Sequence, residues 1–235
     1  MKLGVNIDHI ATLRNARGGL EPSIVEAAKI ALKEDILAIT MHLREDRRHI
    51  KDEDLYEVKK LGAKINLEMA ATKEIQEIAL NLVPYSVCLV PERRQEITTE
   101  GGLDVEGQKE YLKKYIKPLQ DKGILVSMFI DPDEKQIKAS SYISADYIEM
   151  HTGSFSNAFL KGNYKEEFEK LKKGAKLAQS LGLKVNAGHG LNYENVYLMK
   201  QIPDLCELNI GHSIISKAIF VGLDSAIKQM LDLIK

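Results

Sequence analysis

Six histidines, His9, His42, His49, His151, His189 and His212, are the first guide to what this chain could do chemically. His9 follows Asp8 in N-I-D-H, and His42 opens the charged run H-L-R-E-D-R-R-H that ends at His49. His151 closes I-E-M-H, His189 stands between Gly188 and Gly190, and His212 follows Gly211. Imidazole exchanges a proton near neutral pH, and a carboxylate in apolar surroundings is pushed toward the same range. Glu68, in N-L-E-M, and Glu149, in I-E-M-H, are carboxylates of that kind, costly to bury without a functional or hydrogen-bonding purpose. Asp131, which begins D-P-D-E, has ordinary turn composition instead. The set of imidazoles and carboxylates suits general acid and base catalysis.

Cations and glycines supply the other half of the pattern. The run from His42 to His49 holds Arg44, Arg47 and Arg48; it reads either as a solvated loop laced with ion pairs or as a site for anion capture by guanidinium forks. Arg14 and Arg17, followed by Gly18 and Gly19, form a second cationic stretch. The turns at Gly188–Gly190 and at Gly211 expose backbone N–H groups that suit phosphate, and Thr98-Thr99-Glu100-Gly101-Gly102 has the composition of a lid. No metal or cofactor is expected. The first strand lacks the His-x-His pair of metal-dependent hydrolases, and Lys64 and Lys184 stand at strand starts, away from any Schiff-base position.

The elements that must position these residues can be read from periodicity. Short apolar runs beginning near Leu3, Leu37, Lys64, Ser86, Ile124, Tyr147, Lys184 and Glu207 alternate with segments of helical period. The first helix is expected to open at Pro22 and Ser23, the segment around Tyr193–Ile202 is expected to be helical, and one long helix is expected from Ser213 to the C-terminus. Gly62, Gly123 and Gly182 read as helix stops. Strands joined by helical crossovers run parallel, and eight such units in 235 residues predict a closed (β/α)8 TIM barrel as a single domain over residues 1–235. A dinucleotide-binding sheet is disfavoured because G-x-G-x-x-G does not follow the first strand. Five of the histidines then fall at or just past strand ends, with none inside a predicted helix, so one polar pocket is expected at the carboxyl ends of the strands.

Composition narrows the class. With 33 Lys plus Arg against 34 Asp plus Glu, the net charge of −1 offers no broad footprint for nucleic acid. No apolar run reaches membrane-spanning length and none at the start resembles a secretion signal, so a cytoplasmic protein is expected. Cys88 and Cys206 lack C-x-x-C spacing and read as buried small hydrophobes.

G-V-N-I-D-H-I-A-T-L-R-N-A-R-G, H-L-R-E-D-R-R-H-I, N-L-E-M-A, L-V-P-E-R-R-Q-E-I-T-T-E-G-G-L-D, I-E-M-H-T-G, L-K-V-N-A-G-H-G-L and E-L-N-I-G-H-S-I-I, in this order, resemble the pyridoxine 5'-phosphate synthase family. The resemblance implies a (β/α)8 barrel that condenses 1-deoxy-D-xylulose 5-phosphate with 3-amino-2-oxopropyl phosphate and releases inorganic phosphate and water. It implies that His42 and Glu68 accept protons, that His189 donates one and that Glu149 stabilises the transition state. It further implies that Asp8, His9, Arg44, His49 and Thr98 hold the deoxyxylulose phosphate, while Asn6, Arg17, Gly190, Gly211 and His212 hold the amino-ketone phosphate. His151 receives no role, and a homo-octamer is implied. A sugar-phosphate isomerase barrel and a non-catalytic phosphometabolite-binding barrel are the competing readings; the first leaves the second cationic cluster unexplained and the other leaves Glu68 and Glu149 unexplained.

Overall fold

A computed structural model describes residues 1–92 and 101–235. Eight parallel strands, each hydrogen-bonded to the next and the eighth to the first, close into a barrel. They are β1 (Lys2–Asn6), β2 (Ala38–His42), β3 (Ile65–Met69), β4 (Ser86–Leu89), β5 (Leu125–Ile130), β6 (Tyr147–His151), β7 (Lys184–Gly188) and β8 (Leu205–Ile210). The helices that return the chain include α1 (Asp8–Arg17), α2 (Ile24–Ala31), α3 (Asp52–Lys60), α4 (Lys73–Leu82), α5 (Val105–Asp121) and α6 (Glu134–Tyr142). They continue with α7 (Gly153–Leu160), α8 (Lys165–Ser180), α9 (His212–Val221) and α10 (Leu223–Ile234). The (β/α)8 barrel read from the sequence is the observed architecture.

Local chemistry explains most of the boundaries. The Ser23 hydroxyl caps α2 by accepting the Glu26 N–H, and Asp133 caps α6 by accepting from Lys135 and Gln136. Gly62, Gly123 and Gly182 stop their helices in the left-handed region, at φ of 78°, 76° and 83°.

Four expectations change. A helix, α1, begins directly at Asp8, so His9 lies inside a helix and not in a loop, and His212 opens α9. A second unexpected helix, α7, follows β6; its opening Gly-Ser is poor helix-forming composition, which hid it. Val196–Gln201 is a 3-10 helix, and Gly222, at φ 83°, divides the C-terminal helix into α9 and α10.

The hydrophobic core lies between sheet and helices. Alternate strand residues such as Leu3, Val5, Ile39, Met41, Leu67, Val87, Met128, Ile148 and Leu208 face outward into it and are fully buried. Each such side chain contributes about 1.5–3 kcal/mol by leaving water. Their in-register neighbours point into the barrel, and these are polar: Thr40, Asn66, Ser127, Glu149, Asn186, Glu207 and Asn209 are all buried. A barrel interior is usually filled by branched apolar residues. Here a hydrogen-bonded chain runs across it: Ser86 donates to Asn66 at 2.9 Å, Thr40 to Asn209 at 2.8 Å, and Asn209 to Glu149 at 2.7 Å.

Gly4 of β1 is what leaves room for this. A Cβ there would fall within 2.5 Å of the Glu207 carboxylate and closer still to the Asn209 amide oxygen. Both belong to β8, the strand paired with β1, and the Asn209 amide is held in place by Thr40 and Glu149. Gly4→Ala is therefore expected to lower stability by about 1–3 kcal/mol through overpacking, read as an earlier urea midpoint with an unchanged slope. An unmoved midpoint would show that the interior has slack.

Candidate active site

All eight strands point their carboxyl ends to one face, and most of the singled-out residues gather there. The first cluster is built on β1, β2 and β3. Asp8 is the hinge of it: one carboxylate oxygen accepts the Asn6 side-chain N–H at 2.8 Å, the other accepts the backbone N–H of His42 at 2.9 Å. Asn6 returns the bond by accepting the Asp8 N–H at 2.9 Å. This reciprocal pair lets α1 start directly at the end of β1 and holds β2 beside it.

His42 lies between two carboxylates, with Nδ1 at 3.9 Å from Glu68 and Nε2 at 2.8 Å from Glu92. Glu92 was not among the residues expected at the site. Burial alone would raise its carboxyl, but the His42 hydrogen bond and charge and the Glu45 N–H outweigh this and hold it below the usual range. Its only signal was a carboxylate just past β4, in V-P-E. Glu68 goes the other way: burial first, then the negative charges of Asp8 and Glu149, push it well above the usual range. Burial lowers His49, and burial together with His212 lowers His9. Both rings are thereby biased toward the neutral form.

The charged loop after β2 divides between the two readings offered for it. Arg47 pairs with Asp52 and Glu74, and Arg48 with Asp46, as in an ion-paired surface loop. Arg44 is buried beside the first cluster, with its Nε at 3.3 Å from Asp46.

Arg14 needs correction as an anion-capturing cation. It is buried and forms a two-pronged pair with Asp54 at 2.6 and 2.9 Å, and it also donates to the His49 carbonyl at 3.2 Å. Asn15 donates to the same carbonyl at 2.8 Å. Arg14 is thus a strut from α1 that fixes the loop carrying His49. Arg17 is exposed in the last turn of α1, about 13 Å of helix rise from Asp8, and does not join the cluster.

The second cluster is built on β6, β7 and β8. Glu149 is raised to about 7 by burial, against the lowering effect of hydrogen bonds from Asn209 and Cys88. Gly188, beside it in the sheet, has no Cβ to collide with that carboxylate. Cys88 is buried as expected, but its thiol faces Glu149 at 3.9 Å inside the barrel and is pushed well up by burial and by Glu149 and Glu68. It is therefore part of the polar interior as well as a small apolar filler. His189 takes a left-handed backbone, φ 73°, and its imidazole is lowered to about 4 by burial and then by His151.

Gly190, at φ 82°, packs against Ser156, and Gly211 packs against Asn6. A side chain at either position would collide. Gly211 precedes α9, whose first turn has no side-chain cap, so its N–H groups are open to an anion. His9 and His212, 4.9 Å apart between ring centres, join the two clusters across the β1–β8 seam. Thr98 lies outside the described residues, as does most of the lid-like segment; Gly102, at its end, donates to Asp131 at 3.1 Å.

Among the described residues, Asp8, His42 and His49 bring donor atoms within 4.8 Å of one another, close enough to hold a divalent cation. Those groups are also engaged within the chain, Asp8 by Asn6 and the His42 N–H, His42 by Glu92 and His49 Nδ1 by the Ile50 N–H. No helix among the described residues is long and apolar enough to cross a membrane.

Comparison with known proteins gives a consistent result. The family model described as pyridoxal phosphate biosynthesis protein PdxJ matches residues 3–235. A relative from Sulfurihydrogenibium sp. named pyridoxine 5'-phosphate synthase is 56% identical, covering 100% of this chain and 98% of the relative. One of the same name from Geobacter sulfurreducens is 55% identical over 100% and 98%. Among solved structures, KGPDC from Streptococcus mutans aligns with a TM-score of 0.68 at 13% identity, over 99% of this chain and 96% of that one. Phosphoribosyl anthranilate isomerase from Thermus thermophilus aligns with a TM-score of 0.62 at 12% identity, over 99% and 100%. At such identities these two structures share the barrel and nothing finer.

Glu207 gives a direct test of the buried electrostatics. Burial and the charge of Glu149 raise it to about 8, and one of its oxygens is buried without a partner. Between the ordinary carboxylate range and that value, the folded chain keeps a proton the unfolded chain has lost, so this group makes stability fall as pH rises. Glu207→Gln removes that contribution. Wild-type stability measured against Glu207→Gln should therefore decrease between about pH 5 and about pH 8 in urea titrations. A difference independent of pH would mean that Glu207 ionises normally in the fold.

Proposed function

Because the chain belongs to the pyridoxal phosphate biosynthesis family PdxJ, we propose that it is a pyridoxine 5'-phosphate synthase. In this reading it joins 1-deoxy-D-xylulose 5-phosphate to 3-amino-2-oxopropyl phosphate, and it releases phosphate and water as the pyridine ring closes. The observation that carries the proposal beyond the family is His42 held between Glu68 and Glu92 at the mouth of the barrel, with Glu149 and His189 on the facing strands.

The amine of one substrate condenses with a ketone of the other, losing water as the imine forms. A proton then leaves the adjacent carbon, phosphate and water are expelled, and the resulting carbon nucleophile closes on the remaining carbonyl before aromatisation. Every step moves protons and none needs net oxidation. His42 and Glu68 accept protons; Glu92, itself ionised, receives the ring N–H of His42 and stabilises the imidazolium when it forms. His189, neutral at neutral pH, still carries one N–H and can donate it to a developing oxyanion, as neutral imidazoles do elsewhere. Glu149, near 7, adjusts charge in the interior as the transition state forms.

Two anionic substrates are matched by two regions that can receive a phosphate. Arg44, His49, Asp8 and His9 form the first cluster, to which Thr98 belongs in this reading. The other is the second cluster's rim, where Gly190 and Gly211 let the backbone approach a phosphate at the start of α9 and Asn6 and His212 stand beside it. Arg17 completes that site only if it is brought from elsewhere, and assembly is part of the same proposal. Leu13, Leu20, Ile219 and Phe220, on α1, α9 and the turn after α1, are 57%, 90%, 72% and 86% exposed, which suits burial between copies in an octamer. Sedimentation should then give the mass of eight chains; a monomer at micromolar concentration would overturn that part. The expected location is the cytoplasm.

The protein mixed with both phosphorylated substrates should release phosphate and form pyridoxine 5'-phosphate in equal amounts, before and after treatment with a chelator. Glu68→Gln and His42→Asn should each lower kcat by about 10²–10⁴-fold while substrate binding persists. Binding without turnover in the unmodified chain would favour a binding barrel instead.

A further inference from the structure

His151 and Asp131 have no part in the chemistry above, yet their arrangement is that of a built pair. Asp131 stands just past β5 and its Oδ1 lies 2.9 Å from His151 Nδ1, at the end of β6. Its other oxygen accepts the Gly102 N–H. An ionised carboxylate only accepts, so Nδ1 carries the hydrogen and the ring orientation is fixed. Nε2 is left buried, with no hydrogen-bond partner. A ring kept only to fill space would do better as Phe or Leu, with no nitrogen to desolvate.

What lies against this ring is His189. The two ring centres are 5.0 Å apart, and Phe129 packs against both, at 5.3 Å from His151 and 6.4 Å from His189. Gly153 makes the approach possible, because a Cβ there would lie 2.5 Å from His151 Nε2 and 3.3 Å from His189 Cδ2. Thr152, between them in sequence, shares its hydroxyl between the carbonyls of Gly188 at 2.8 Å and His189 at 2.6 Å. Consecutive residues after Met150 thus hold His189 at both ends, Thr152 by the backbone and His151 by the ring.

We propose that His151, anchored by Asp131, is a positioning residue that fixes the orientation and environment of the His189 imidazole. This rests on the reading that His189 exchanges a proton in the reaction. The groups facing His151 are Asp131 and His189, with Asp133, Glu167 and Lys170 across a cavity of about 240 Å³ that His151 helps to line. Burial and the neighbouring His151 both lower His189, so losing His151 should raise it.

The test compares His151→Gln, His151→Phe and Asp131→Asn in the full-length chain, following the His189 ring by nitrogen-15 NMR titration alongside steady-state kinetics. In His151→Gln the His189 titration should move up, and kcat should fall about tenfold with KM for both substrates within about twofold. Asp131→Asn should shift both readouts in the same direction, and His151→Phe, which keeps the volume without the anchor, should not restore them. An unmoved His189 titration in a folded His151→Gln protein, or full restoration by Phe, would overturn the proposal. His189→Asn separates the two readings: if turnover survives it, the proton role of His189 falls, while the titration alone still decides whether His151 governs that ring.

Discussion

Closing eight parallel strands on themselves gives every strand two hydrogen-bonded neighbours, and this frees the inside of the barrel from the need to be apolar. The cohesive surface has moved outward, to the layer where Leu, Ile, Val and Met of the strands meet the helices. The interior can then hold Thr40, Asn66, Glu149, Glu207 and Asn209, whose polar atoms are largely satisfied by one another across strands. The site is the upper end of that same polar column. Its precision comes from strand register, because a one-residue slip would turn each inward carboxylate into the hydrophobic layer.

Buried carboxylates in a closed space act on one another. Glu68, Glu149 and Glu207 are all raised, and burial is the first cause for each; neighbouring carboxylates add to it for Glu68 and Glu207. The small residues are part of this device. Gly4 and Gly188 give the Glu207 and Glu149 side chains the room that any Cβ would take. Stability and chemistry therefore draw on the same few positions, and the partly unsatisfied interior, with Glu207, Asn186 and Ser127 each keeping an unpartnered atom, is a cost carried by the outer core.

The strands were legible because their two faces differ: A-I-T-M-H and I-N-L-E-M alternate with period two, though the polar face points into the barrel and not to solvent. The histidines and carboxylates at strand ends were legible for the same reason, since the fold converts that position into a place on the mouth. Helices without strong patterning were not. In α1, the acidic start at Asp8, the basic end at Arg14 and Arg17 and the left-handed Gly18 were available signals, but no side chain caps the helix and its apolar face is slight. Arg14 looked like an anion binder because charge can be read from sequence and its pairing with Asp54, forty residues away, cannot. Glu92 was hidden likewise: only the approach of β4 to β2 across β3 gives it His42 as a partner.

One cause, removal from water, shifts the two kinds of acid–base group in opposite directions. Imidazole is a base that becomes charged on protonation, so burial drives His189 down to about 4; a carboxyl becomes charged on deprotonation, so burial drives Glu149 up to about 7. In water at neutral pH the carboxylate would be the base and a fraction of the imidazole would be the acid. Inside this barrel that order is inverted: burial favours the neutral imidazole of His189 and the protonated carboxyl of Glu149. A site built this way presents neutral hydrogen-bonding groups where water would have left charges. Glu92 is the exception that makes the set asymmetric. Held ionised by His42 and the Glu45 N–H, it keeps a fixed negative charge on one side of the mouth, while across the barrel Glu149 is pushed toward its neutral form.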